Sequence, residues 1–500
     1  MIDKVRESDL VFFGFLLAVL VLTAGGHIVQ GDEETMFRVT QNILSGKGIA
    51  VGREEIVLLA QESSFFLPAS DETIWTTSAV PGRDGLMYSK YGIGQSLAAI
   101  PLYLLGDLMD RAIPSEKTTW PDGWYARLWV SMFNPLALAG CGWLMMVFGR
   151  SLGYTTRTSR WVAAAAVFST MLWPYVKTFY SQPGVAFLLL LSVCAAYRWR
   201  QSRHLGWLWV LSAACGVGIL FRLSFVIVLL PLALYLIFSS PAQKRWAWIF
   251  PLSLGVGAAI GITAGYNWLR FESIFETGYH EIAWTTPFLL GLFGLLFSPG
   301  KGIVFYTPLI MVCAVAAVLF RRSQRAEMRL IAGLWVCYLA FYAPHNYWTG
   351  GFNWGPRFLV PLVPVTFLPL GALLENARIQ GAKLIFGVFF TIGLAVQTPA
   401  ILVDHSRYLY QQFSGGDVTS AYSRTIIEMT YSPVVRQWPV AMDLLVAYSH
   451  PETWQQAKFN LQEIIADAPD SPNSASLLAS EFIRRNTIDC WWGQGQLNIH

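Results

Sequence analysis

The sequence predicts an all-α polytopic membrane protein that crosses the bilayer about eleven times, and three observations carry that prediction. Hydrophobic residues fill 54% of the 500 positions, charged residues only 13%, and mean hydropathy is +0.45. A soluble chain normally carries about a quarter charged residues and could not hide so much apolar surface. Apolar runs near the roughly 20 residues that a membrane-crossing helix needs recur along the chain. Between them, loops rich in Lys and Arg alternate with loops poor in both, as retention of basic residues on the cytoplasmic side requires.

The first apolar run, Val11 to Ala24, has the make-up of a signal peptide; the many later spans identify it instead as an uncleaved first helix, near 10–30. Further spans are expected near 124–149, 160–175, 181–197, 205–221, 224–240, 246–268, 303–320, 329–344, 358–374 and 384–402. Five basic clusters set the orientation: Arg150/Arg157/Arg160, Arg198/Arg200/Arg203, Lys244/Arg245, Arg321/Arg322/Arg325/Arg329 and Arg378/Lys383. They share one side only if the N-terminus is cytoplasmic and the tail after the last span is outside a plasma or inner membrane. "YGIGQSLAAIPLYLLGDLM" (91–109) is apolar enough to be a further span, but counting it would put every later basic cluster outside. It is therefore expected to lie along the outer face, within a first external loop of 31–123.

Residues 1–403 are thus expected to form the transmembrane part and 404–500 an extracytoplasmic tail, with a net charge of −4 against +8 for the rest. Its periodic pieces, "PETWQQAKFNLQEIIADA" and "SASLLASEFIRRN", suit short helices in a small soluble cap. Cys141, Cys194, Cys215, Cys313 and Cys337 fall in apolar runs and Cys490 stands alone in the tail, so no disulfide framework or zinc spacing follows. The basic excess belongs to membrane-side loops and gives no support to a nucleic-acid partner.

Polar residues collect on the outer loops. The first holds Asp32, Glu33 and Glu34 directly after the first span, then Tyr88, Lys90 and Tyr91. The second contains Tyr175, Lys177 and Tyr180, and Arg222 sits at the outer end of two apolar runs in "FRLSF". Later loops contribute His280 and Glu281 in "ETGYHEIAWTTP", Lys301 in "SPGKG", and His345 and Arg357 in "PHNYWTGGFNWGPRF". Lys90, Arg222, Lys301 and Arg357 are isolated cations on the side where few are expected. They stand beside Gly, Pro or aromatic residues, and helix breaks at membrane depth are tolerated where backbone lines a cavity. The pattern suits an anionic lipid head group, with cations on phosphate and a carboxylate for proton chemistry. Glu33 and Glu34, taken singly, are expected to be solvated, and the outer Trp and Tyr residues to form an aromatic belt. His280, Glu281 and His345 stay divided between packing, metal binding and substrate contact.

These motifs resemble, in order, those of the GT-C membrane glycosyltransferases, which take a sugar from a polyprenyl-phosphate carrier and include the protein O-mannosyltransferases and the aminoarabinose transferases. "GDEETMFRVTQNILSGKGIAV" is similar to their first external loop and "YSKYGIGQSLAAIPLYLLG" to the juxtamembrane helix that follows. "GILFRLSF", "LFSPGKGIVFYTPLI" and "GGFNWGPRFLVPLVP" resemble later motifs, so the likeness spans about residues 8–375. It implies a GT-C-like bundle with external juxtamembrane helices, Asp32 as catalytic carboxylate, and Lys90, Arg222, Lys301 and Arg357 as contacts to the carrier phosphate. Two positions depart from the pattern. Met36 stands where an aromatic residue is frequent, and "FYSQPG" has Ser181 and Gln182 where many members carry a second acid. Glu281 is the only candidate replacement, and the need for a divalent metal stays open.

The reaction so implied is transfer of a sugar from a polyprenyl phosphate to a hydroxyl of a glycan, lipid or protein. The acceptor hydroxyl must lose its proton as it attacks the anomeric carbon, which calls for a fixed base; Asp32 is the first choice and Glu33 the second. Preorganised cations would stabilise the leaving phosphate, with inversion at the anomeric carbon. Two other readings remain open: a transporter or flippase of polyprenyl-linked sugars, against which stands the lack of an internal repeat, and a ligase using a pyrophosphate-linked oligosaccharide.

Overall fold

The computed structural model describes residues 7–28, 31–51, 78–113, 123–239, 246–280, 282–376, 379–413, 418–466 and 488–491. Every one of the eleven expected spans is helical over most of its described length. Among the described residues, four stretches are long and apolar enough to cross a membrane by themselves: Trp124–Ser151, Ile249–Phe271, Arg357–Leu374 and Ala382–Leu402. The others are shorter, interrupted, or carry charged ends. Thr156–Phe168 stops early and gives way to a 3₁₀ turn, Trp173–Lys177, with Pro174 in its first positions. The 303–320 run is split into Ile303–Tyr306 and Ile310–Ser323, because Pro308 lacks an N–H and disfavours helical backbone at Thr307 before it.

One apolar helix was not foreseen. Phe288–Phe297, "FLLGLFGLLF", has ten residues and so rises only about 15 Å, half of a hydrocarbon core. Gly291 and Gly294 let it approach the Ala343 backbone and the Trp348 ring, each within the space a Cβ would occupy.

Among the described residues, basic loops share one end of the bundle; Lys244, Arg245 and Arg378 lie outside them. Asp9 pairs with Arg150 at 2.9 Å and Arg160 at 3.7 Å, the Thr155 hydroxyl donates to Glu375 at 2.7 Å, and Arg200 pairs with Glu327. At the other end, the segment after the first span is the helix Gly31–Leu44, a small antiparallel sheet and the helix Ile93–Ala112. Strand Met87–Ser89 is central in that sheet, with Tyr88 opposite both Ala50 and Val80. The two helices pack through Met36, Phe37, Ala99 and Tyr103, and two bonds of 2.8 Å tie them: the Thr40 hydroxyl donates to the Ser96 carbonyl and the Ser96 hydroxyl to the Met36 carbonyl. The described part of the tail packs on the loops at this end. Ser432 donates to the Pro299 carbonyl at 2.6 Å, Gly300 N–H to Ile426 at 3.0 Å, and Tyr422 to the Gly351 carbonyl at 3.1 Å. The expected helix at 474–486 falls outside the described residues.

The three acids of the first outer loop occupy the first turn of the Gly31–Leu44 helix, where the helix dipole favours negative charge. Successive helical residues point about 100° apart, so three in a row cannot serve one site. The expectation that Glu33 and Glu34 are solvated is corrected: they are 1% and 2% exposed. Glu33 accepts from the Phe179 N–H at 3.1 Å. Glu34 takes both arms of the buried Arg127 guanidinium, at 2.5 and 2.8 Å, and Arg38 at 2.5 Å. Burial alone would raise the Glu34 carboxyl, but Arg127 and Arg38 outweigh it and lower it from 4.5 to about 2. The stabilisation from this group is therefore complete above pH 4.5 and lost as pH falls toward 2. Glu34→Gln leaves a buried arginine without its counter-charge and is expected to cost about 3–5 kcal/mol, read as a lower unfolding temperature in detergent.

Candidate active site

The remaining acid points into a different neighbourhood. Asp32 Oδ1 accepts from the Ser78 hydroxyl at 2.9 Å and from the Tyr91 hydroxyl, while Oδ2 accepts from Arg357 at 2.7 Å. The Gln182 amide oxygen, in the amide orientation that satisfies its neighbours, accepts from Arg357 Nε at 2.7 Å and from Arg222 at 2.6 Å. One chain of contacts thus runs Tyr91–Asp32–Arg357–Gln182–Arg222. Its members come from a loop after a strand, the starts of three helical elements and the end of a fourth.

Each element end has a local cause. Asp32 begins its helix and Gln182 opens Gln182–Ser202, where Pro183 is tolerated because the first turn needs no N–H donors there. Arg222 ends Gly206–Phe221 in extended backbone, φ −155° and ψ 118°. Arg357 starts the 3₁₀ segment Arg357–Leu362. The turn before it holds Gly355 at φ +72°, with the Tyr306 ring where a Cβ would point, so a side chain there would be strained and blocked.

Aromatic rings line the cluster. The Arg357 guanidinium lies 4.0 Å from the Tyr180 ring centre and the Arg222 guanidinium 5.1 Å from that of Phe358. Lys90 Nζ sits 5.8 Å from the Tyr91 ring and 5.4 Å from the Tyr279 ring. Asp32, Lys90, Tyr91, Arg222 and Tyr279 are half-buried, so the cluster stays reachable from outside the chain. Burial alone would raise the Asp32 carboxyl. The Arg357 charge, the Tyr91 hydrogen bond and the Lys90 charge outweigh it and leave the carboxyl below its ordinary 3.8. Burial and the Asp32 charge push the Tyr91 hydroxyl well above its ordinary 10.0, so it remains a donor.

Asp32, Lys90, Tyr91, Arg222 and Arg357, all singled out in the sequence, come together. Others do not join them directly. Glu33 turns to the Phe179 backbone. Tyr88 donates to Asp84 at 2.6 Å and packs on Phe271. The His280 side chain is 60% exposed and lies 3.8 Å from Glu276, out of the cluster. Glu281 lies outside the described residues. His345 accepts from its own turn, Tyr347 N–H, at 2.9 Å; burial and the Arg222 charge lower it to about 4, so it is neutral.

Lys301 is 2% exposed and donates to the carbonyls of Gly351 and Asn353, both at 2.6 Å. Burial, helped by the Arg357 charge, lowers its ammonium from 10.5 to about 7. Two of its three N–H groups bind the loop that delivers Arg357. Lys301→Met is expected to lower stability by about 1–3 kcal/mol, read by thermal unfolding.

Sequence reasoning passed over Gln182, treating its position as a missing acid, and gave no role to Ser78 or Tyr279. Ser78 had no signal. For Gln182 a signal existed: a polar residue at a helix start, in the loop where an acid is frequent. The donor set does not fit a divalent cation. Both Asp32 oxygens face hydrogen-bond donors, and the position that would supply a second carboxylate holds an amide. Among the described residues no three His, Cys, Asp or Glu side chains gather at metal distance.

No protein-family model matches the sequence, and no curated protein is similar to it at a significant level. Solved structures do share its fold. ArnT from Cupriavidus metallidurans in the apo state superposes with a TM-score of 0.50 at 13% identity, over 98% of this chain and 77% of that one. The same protein bound to undecaprenyl phosphate gives 0.52 at 12% identity, over 95% and 77%. The chain is therefore an integral membrane protein that shares the helical fold of ArnT. At such identity the likeness concerns fold, and function has to come from the site.

Proposed function

We propose that this protein is a membrane glycosyltransferase that moves a sugar from a polyprenyl-phosphate carrier to an acceptor hydroxyl on the face bearing Asp32. The observation that carries the reading is the meeting of one carboxylate with two guanidiniums, Arg357 and Arg222, joined through Gln182. The fold likeness supports it, since one of the similar structures was solved with undecaprenyl phosphate bound.

The carrier phosphate sits on Arg222 and Arg357, with Lys90 adding charge. The acceptor oxygen bonds to the anomeric carbon, its proton passes to Asp32, and the bond to the phosphate oxygen breaks. The leaving polyprenyl phosphate keeps the bonding electrons, and the guanidiniums stabilise that charge. Attack opposite the leaving group inverts the anomeric carbon. Asp32 paired with Arg357 is a weak base. Donor phosphate competes for Arg357, and loss of that ion pair in a partly dry site raises the carboxyl toward the range where it can accept a proton. Tyr91 and Ser78 hold the carboxylate in place meanwhile. No step is routed through a metal.

The test is release of the carrier. Reconstituted protein given labelled polyprenyl-phosphate sugars and membrane acceptors is expected to yield free polyprenyl phosphate and a labelled product. Movement of intact donor across the membrane with no release would establish a transporter and reject the enzyme.

A further inference from the structure

Residues 488–491 lie against the roots of the two segments that build the site. Asp489 is 0% exposed; its Oδ1 stands 2.5 Å from His27 Nε2 and its Oδ2 3.9 Å from Lys177 Nζ. Lys177 Nζ also lies 3.4 Å from the Cys490 sulfur. Backbone bonds complete the seat: Asp489 N–H to the Leu402 carbonyl at 3.0 Å and Trp491 N–H to Ala24 at 3.0 Å. The Trp491 indole donates to the Val21 carbonyl at 2.7 Å. The first outer segment is shaped for this contact. Gly26 has φ +76°, and a Cβ on it would stand 2.4 Å from Cβ of Trp491.

The positions of these two partners, His27 and Lys177, matter. His27 shortly precedes Asp32 in the chain, and Lys177 shortly precedes Gln182. Between Lys177 and Gln182 stand Phe179, whose N–H binds Glu33, and Tyr180, whose ring faces Arg357. A buried carboxylate between a lysine and a histidine is a poor source of stability, because desolvation offsets the attraction; the attested use of such buried polar pairs is to fix one arrangement.

We propose that Asp489 is a positioning residue: by holding His27 and Lys177 together it sets how the segment carrying Asp32 lies against the segment carrying Tyr180 and Gln182. This rests on reading the cluster as the carrier-phosphate site. Binding at the cluster and closure of the 488–491 segment are then coupled, and the coupling is reciprocal.

The experiment uses the full chain in nanodiscs with undecaprenyl phosphate as probe. Asp489→Asn is expected to weaken its binding about tenfold, a typical coupling, at temperatures far below unfolding, and Asp489→Glu to recover most of the loss. In the unmutated protein, saturating undecaprenyl phosphate is expected to slow maleimide labelling of Cys490 severalfold, by the same reciprocity. A segment that only stabilises the fold would lower the unfolding temperature and move neither quantity. Wild-type affinity in Asp489→Asn, or a Cys490 labelling rate indifferent to the lipid, overturns the proposal. Arg222→Ala, measured alongside, isolates the underlying reading. Weakened binding there with wild-type binding in Asp489→Asn removes the clasp alone, and wild-type binding there removes the phosphate site itself.

Discussion

Asp32→Asn is expected to lower the transfer rate about 10²–10⁴-fold, the usual worth of a positioned general base, without loss of carrier binding. An amide can still accept from Tyr91 and Ser78, so the local geometry should hold. The change removes the carboxylate that competes with phosphate for Arg357. Undecaprenyl phosphate should therefore bind this variant somewhat more tightly than the unmutated protein. Rate and affinity moving in opposite directions is the signature to seek in a single-turnover assay beside a binding titration. A parallel fall of both would mean that Asp32 only supports the site.

Arg357→Ala is expected to weaken undecaprenyl phosphate binding about 10–100-fold, the equivalent of one charge-assisted contact, and to shift the pH profile. In the unmutated protein the Asp32 carboxyl is held below 3.8, so the acid limb of kcat/KM lies under pH 4. Without Arg357 the burial effect dominates. The carboxyl then titrates higher and the acid limb moves up in pH. Arg357→Lys should recover little, because an ammonium cannot span Asp32 and Gln182 as the planar guanidinium does. The pH dependence of residual transfer in both variants checks this; an unmoved acid limb would detach Arg357 from Asp32.

Much of the fold was legible because membrane solvent imposes simple rules. Apolar length marked the helices, and alternation of Arg clusters placed Arg150, Arg200 and Glu375's neighbourhood at one end and Asp32 and Arg357 at the other. Composition could not reveal how helices break. The interruption at Thr307 and Pro308 and the half-length helix Phe288–Phe297 follow from a proline and from small residues that admit close neighbours. In the site, isolated cations on the wrong side of the charge pattern were informative: Arg222 and Arg357 meet, although 135 positions apart.

What stayed hidden depends on partners distant in the chain. Glu34 resembles its neighbour Asp32 until Arg127 is seen to claim it, and helical spacing then assigns the three acids to three partners. Lys301 resembles Arg357 in its surroundings, but its short reach leaves it on two loop carbonyls. Gln182 was passed over because a neutral amide carries no charge signal, although its place at a helix start was informative; its oxygen is what joins the two guanidiniums. With an amide there in place of an acid, the two guanidiniums share one carboxylate, Asp32, and the surplus positive charge suits an incoming phosphate.

The central claim is that Arg222 and Arg357 together hold a lipid phosphate beside Asp32. It is tested most directly by titrating undecaprenyl phosphate into the reconstituted Arg222→Ala/Arg357→Ala double variant, a measurement that needs neither the sugar nor the acceptor. The expected result is at least about 100-fold weaker binding than in the unmutated protein, with Asp32→Asn still binding. Unchanged affinity in the double variant would contradict the account.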